Sequence, residues 1–230
     1  MRGTLGEVAL AALVFVGSHV LLSGTLLRGA LAKRLSEGGF LVLYSAVAAA
    51  TLIWLIIAYR DAPYVELWPT AAWARYLPLV VMPFASVLVV CAATTRNPTM
   101  VGGEMLGTDG DPAPGIMKVT RYPFMWSVVL WAAAHMVPNG DAATVILFSS
   151  LLALALAGMA LIDRKRQRQG GAWRPIALTT SVVPFAAILA GRTHLTVAQI
   201  GWWRIAAGLA LYAALLLAHG PVIGVRALPG

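Results

Sequence analysis

The chain alternates long apolar runs with short polar punctuation. A helix needs about 20 apolar residues to cross a bilayer, and runs of about that length are predicted over residues 5–27, 40–59, 76–95, 117–136, 142–162 and 202–218. The third holds Pro78 and Pro83, and Pro83 should kink it because proline removes an intrahelical donor. The fourth opens on the polar string KVTRYP and closes on VPNGD, where Pro138, Asn139 and Gly140 are stop and turn residues. Residues 176–190 are apolar but short and interrupted by Pro184, so that segment crosses thinly, re-enters, or lies in the interface. The pattern predicts an all-α fold: one polytopic transmembrane helical bundle over residues 1–230, with six or seven helices.

Composition agrees with the pattern. Hydrophobic residues make up 60% of the 230 and charged ones 11%, with a mean hydropathy of +0.80. A soluble domain carries about a quarter charged residues, so too few polar groups are present to cover a water-facing surface. The net charge of +8 does not point to nucleic acid, because the charges fall in short clusters between apolar runs. Arg28, Lys33, Arg34, Arg96, Lys118, Arg121, Arg164, Lys165, Arg166, Arg168 and Arg174 fall in alternate connections. Against them stand Arg2, Arg60 and Arg75. The positive-inside rule then puts the amino terminus outside and the RKRQR loop in the cytoplasm. The first run is too long for a signal-peptide core and no small-x-small site precedes Arg28, so it reads as a retained helix.

The single cysteine, Cys91, excludes an internal disulfide and a CxxC metal site. Zinc or di-iron chemistry lacks an HExxH or a carboxylate cluster. Most tryptophans and tyrosines, such as Trp54, Tyr59, Trp68 and Trp73, sit near run ends as an interfacial belt. Residues 97–115, rich in Gly and Pro with Glu104, Asp109 and Asp111, read as a connector, or as a lid over a site in the bundle. Polar groups at depth are few. His19 lies well inside the first run and His135 at the end of the fourth, whereas His194 and His219 fall at or beyond helix ends. A buried ionisable residue in a membrane helix is a functional candidate because its burial is costly. Two histidines on different helices are the usual way a bundle holds haem.

The segments GSHVLLS, KVTRYPFMWSVVLWAAAHMVPNGD, LID-RKR, SVVPFAAILAGR and IGWWRIAAGLALY together resemble NnrU proteins over nearly the whole chain. NnrU-type proteins are bacterial inner-membrane proteins linked to denitrification and nitric oxide metabolism. The family is similar to zeta-carotene isomerase, a haem b protein that isomerises a cis double bond in a carotenoid precursor. The resemblance makes His19 and His135 the haem ligands. It also sets Tyr122, in Arg121-Tyr122-Pro123, where the family often has a histidine, and tyrosine is itself a haem ligand elsewhere. Depth leaves the pairing open. At about 1.5 Å per residue His19 lies roughly 21 Å from the outer end of its helix, whereas His135 lies near the outer end of its own. If residues 176–190 cross, His194 emerges level with His135 and a His135–His194 pair becomes the easier site.

Three functions fit these features. One is a haem-binding protein of nitrogen-oxide metabolism or a redox-gated isomerase of a lipophilic polyene. Another is a non-enzymatic assembly or regulatory factor for a respiratory complex. The last is an isoprenylcysteine-type membrane methyltransferase, because RYPFMW resembles the RHPxYxG entry of that group. The expected partners are the lipid bilayer and either a lipophilic small molecule or a respiratory-complex subunit, with no nucleic acid.

Overall fold

The computed structural model describes residues 3–24, 26–99, 111, 113–169, 171 and 173–228. Among these, the long elements are α1 (Leu5–Gly24), α2 (Leu26–Asp61), α3 (Leu77–Thr94), α4 (Pro123–Met136) and α5 (Ala142–Gln169). Short α6 (Trp173–Thr179), α7 (Ala186–Leu189) and α8 (Val197–Ile200) follow, before α9 (Trp202–Ala218) and a π-helical turn, His219–Ile223. Five helices are long and apolar enough to cross a membrane. The 14-residue α4 is apolar but shorter. The chain is therefore a multi-pass helical membrane protein, and large apolar side chains such as Leu13, Val42, Val80, Phe84 and Leu217 cover its outside.

The helices stand side by side in the order α2, α1, α5, α4, α3, α9. The starts of α1, α3 and α5 and the ends of α2, α4 and α9 share one end, here called proximal. The basic connections gather at the other, distal end. Tertiary links seal the proximal end. Gly3 N–H donates to Asp61 O at 3.3 Å, Leu67 N–H to Gly140 O at 2.7 Å, and Ala142 N–H to Val65 O at 2.9 Å. Beneath this cover, Val8, Ala11, Ala12 and Phe15 of α1 pack with Leu55, Ala132, Phe148 and Leu151.

Three boundaries differ from the sequence pattern, each for a local reason. The helix after Gly24 begins before residue 40 and turns at Ser36 (φ 66°, ψ 166°). There the Ser36 hydroxyl accepts the Gly39 N–H, as a helix-capping serine does. The fourth helix starts at Pro123, not 117, because proline suits the first helical position and turns the preceding residue from α geometry. The fifth runs on to Gln169, where the basic residues of the tail complement the negative C-terminal end of the helix dipole. Pro83 is held within a continuous α3.

Residues 176–190 do not cross. Arg121 N–H donates to Ser181 O at 2.9 Å and Phe185 N–H to Val119 O at 2.8 Å, so the segment folds back onto the start of α4 at the distal end. Among the described residues six long helices pack as rods, five of them long and apolar enough to cross a membrane, and His194 stays distal, exposed on the connection between α7 and α8. Most of the loop over 97–115 lies outside the described residues.

The contact of α3 with α9 turns on Gly208. A Cβ there would stand 2.6 Å from Val87 Cα and 2.9 Å from Val87 N, so this is the close backbone approach that small residues permit between membrane helices. Gly208→Leu is expected to cost about 1–3 kcal/mol through overpacking. The measurement is a lowered melting temperature in detergent, with Leu209→Ala on the exposed side as the neutral control.

Candidate functional site

At the distal end the fold wraps a charged group in protein. Arg121, 6% exposed, precedes α4 by two residues. Its Nη1 donates to Asp163 Oδ1 at 2.8 Å and its Nη2 to Thr180 O at 2.9 Å and Ala177 O at 3.3 Å. Asp163, at the apolar-to-basic transition of α5, also accepts the Tyr122 hydroxyl at 3.2 Å and the Gln167 amide at 2.8 Å. Burial first, then the Asp163 carboxylate, push the Tyr122 phenol far up from its ordinary range, so it stays a protonated donor. Arg192 Nη1 adds donors to Ala177, Leu178 and Thr180 carbonyls. Two guanidinium groups thus meet the C-terminal carbonyls of α6, where the helix dipole is negative. Thr120 Oγ1 and Trp126 Nε1 both bond Val182 O, at 2.9 and 2.8 Å.

At the proximal end an aromatic cluster holds a histidine pair. His135, on the last turn of α4, and His219, just beyond α9, lie with ring centroids 6.5 Å apart and planes 19° from parallel. Phe148 of α5 stacks on His135 at 5.7 Å and meets Trp131 edge-on at 5.3 Å. Each imidazole uses Nδ1 on a backbone carbonyl: His135 on Trp131 O at 2.9 Å, His219 on Val225 O at 2.8 Å. A carbonyl only accepts, so Nδ1 carries the proton and the Nε2 lone pair of each ring is left for another partner. Both rings are half-buried, and Trp131 is 37% exposed on the lipid side.

His19 has a different setting. Its Nδ1 donates to Phe15 O at 2.7 Å, and its ring lies 4.5 Å from Phe15 and 5.6 Å from Tyr44 across the α1–α2 contact. Fourteen residues of α1 separate it from Leu5 at the proximal end, about 21 Å at 1.5 Å per residue. The structure therefore brings His135 to His219, and sets His19, His194 and Tyr122 apart from that pair. Sequence reasoning passed over His219 because it follows the last apolar run. Asp163 was passed over too, although an acid directly before a basic run was a signal for a pairing role.

The model of the NnrU protein family matches residues 7–227. The 15-cis-zeta-carotene isomerase of Arabidopsis thaliana chloroplasts is 28% identical over 200 residues, which is 81% of this chain and 52% of that protein. The maize (Zea mays) chloroplastic protein of the same name is 39% identical over 82 residues, 35% of this chain and 22% of that one. The chain thus spans about half the length, or less, of these relatives. No solved structure matches it.

The distal ion pair should dominate stability. Asp163→Asn leaves a buried guanidinium uncompensated and is expected to cost about 3–5 kcal/mol. Tyr122→Phe, which removes one hydroxyl donor, should cost about 1 kcal/mol. Thermal unfolding in detergent separates the two; equal losses would mean that the charge of Asp163 is not what matters.

Proposed function

Because this chain belongs to the NnrU family, we propose that it is an isomerase of a lipophilic polyene, carrying haem b at the proximal end of its bundle in a bacterial cytoplasmic membrane. The observation that carries the reading is the His135–His219 pair, beside which Trp131 is exposed on the outside of the bundle. Its support from the comparisons is the likeness to two proteins named for isomerising a cis carotene.

The donor set suits the cofactor. Two imidazoles with Nδ1 tied to backbone keep Nε2 as the nitrogen for a metal, and the rings stand stacked 6.5 Å apart, so holding one iron would require them to turn edge-on to each other. His135 and His219 would hold the group, in place of the His19–His135 pair that family resemblance suggests. When bound in its ferrous form, haem would supply a Lewis acid toward an alkene, which requires one of the two imidazoles to leave the iron. The protein's own residues do the rest. The Trp131 and Val225 carbonyls fix both ring orientations, as outer-shell partners do for metal-bound histidines. Trp131 and Phe148, packed edge-to-face, would give a flat conjugated chain an apolar surface beside the rings. Cis–trans isomerisation moves no atom to or from the substrate, so no proton donor is required beside the rings.

The nitrogen-oxide role of NnrU proteins would use the same haem and differ in what reaches it. The exposed apolar ring of Trp131 beside the pair favours the polyene. Reduced-minus-oxidised spectra of the purified protein should show Soret and α bands. His135→Ala and His219→Ala should each lose or shift them, whereas His19→Ala keeps them. Absence of bands in the unmodified protein overturns the haem. Bands sensitive to His19 but not His219 overturn the pairing alone. Incubation of the reduced protein with a cis-polyene, followed by chromatography, should give the trans isomer.

A further inference from the structure

Residues 26–35 form a helix of their own. Ser36, with φ 66° and ψ 166°, interrupts α2, and its hydroxyl accepts the Gly39 N–H to start the spanning part afresh. The part before it joins the end of α1 to that span at the distal end. Its lie follows from the level of its two ends. The His19 and Tyr44 rings meet edge-on, with centroids 5.6 Å apart, so α1 and α2 are level there. At 1.5 Å per residue, Gly24 stands about 8 Å beyond that level and Glu37 about 11 Å. A helix over residues 26–35 is about 15 Å long. A rod of that length between ends so nearly level runs across the bundle axis, along the membrane plane.

Its depth is that of the headgroups. α1 and α5 start together at the proximal end, and α5 turns polar at Asp163, about 32 Å from Ala142. Gly24 lies about 29 Å from Leu5. Two contacts fix which face turns inward. Arg28 pairs with Glu37 at 3.1 Å, and its guanidinium lies 5.2 Å from the centre of the buried Phe40 ring. A Cβ on Gly39 would stand 3.1 Å from Leu35 Cβ. Gly39 and Phe40 lie on the hydrocarbon side of the turn, so the face carrying Arg28 and Leu35 looks toward the acyl chains.

Leu27 and Leu31 share that face at i, i+4, i+8 spacing with Leu35, and Leu27 and Leu35 are 38% and 45% exposed. Arg34 borders the leucine stripe on the side away from Arg28, and Lys33 lies opposite the stripe. Both are exposed, and neither has an acidic partner among the described residues. Exposed leucines turned to the acyl chains, with uncompensated cations at their border and back, fit an anionic lipid surface.

We propose that residues 26–35 bind the anionic headgroups of the distal leaflet, with Leu27, Leu31 and Leu35 seated at the acyl boundary and Lys33 and Arg34 as the cations. Arg28, held by Glu37, ties the helix to α2 and is not counted among them. The surface is independent of the proximal histidines.

The test follows amide hydrogen exchange of residues 26–35 in the full chain, in nanodiscs of phosphatidylcholine and in discs with phosphatidylglycerol added. Exchange should slow in the anionic discs, by about fivefold for each cation that engages a headgroup, and the gain should fade as salt is raised. Lys33→Gln with Arg34→Gln should abolish the gain, whereas Lys33→Arg with Arg34→Lys should keep it. Equal exchange in the two discs, or a gain that survives removal of both charges, overturns the proposal. A gain that high salt leaves untouched does so too, because contacts other than charge then hold the helix. Exchange in α5, the same in every variant, separates a lost lipid contact from a lost fold.

Discussion

The distal half of the bundle depends on keeping one guanidinium charged while it is enclosed by protein. Removing Arg121 from water carries a penalty of several kcal/mol, which a single counter-ion does not offset. The chain surrounds it with Asp163, the Thr180 and Ala177 carbonyls and the ring of Trp173. These come from α5, from the end of α6 and from its start. None of those segments is adjacent to Arg121 in sequence, so satisfying one side chain fixes three pieces of chain at once. The helices of the 173–192 segment are too short to be stable alone, so the segment depends on these contacts together with its bonds to Val119, Thr120 and Trp126.

The proximal end is organised by a different force. Aromatic packing between α4 and α5 places His135 against Phe148, and the turn after α9 brings His219 to the open face of His135. Hydrogen bonds there are local, each imidazole to a carbonyl of its own segment. A site held this way keeps its ring orientations while Trp131 remains accessible to the hydrocarbon. The two ends are therefore chemically separate: charge and N–H donors gather distally, imidazole and aromatic surface proximally, with α4 joining them.

What was legible in the sequence follows from what each signal measures. Apolar run length is a one-dimensional property of the bilayer, so the runs that became α3 and α9, and the start of α5, were found nearly to the residue. Pro123 carried the correct start of α4, yet the run was begun at 117, ahead of the polar string KVTRYP. His135 was found because its helix was found. Its partner was not, since pairing with His219 depends on α9 reaching back to α4 at the proximal end, a tertiary fact with no local trace. Residues 176–190 were ambiguous for the same reason: their apolarity reports burial, and burial against protein looks in sequence like burial in lipid.

That ambiguity has a physical resolution in the length of α4. Fourteen residues at 1.5 Å each make about 21 Å, against about 30 Å of hydrocarbon. The chain before Pro123 lies level with Asp163, where the apolar stretch of α5 also ends, and its backbone is not helical there. Irregular backbone enclosed by protein requires partners for its N–H and C=O groups. Residues 180–185 supply them: Ser181 O accepts the Arg121 N–H, Val119 O takes the Phe185 N–H, and Val182 O accepts the Thr120 hydroxyl. A segment doing this must be apolar outside, short, and bent. Pro184 and the left-handed Phe185 (φ 65°) provide the bend. The features that made residues 176–190 look like a failed seventh span are those required of a strap that encloses the non-helical start of a short helix.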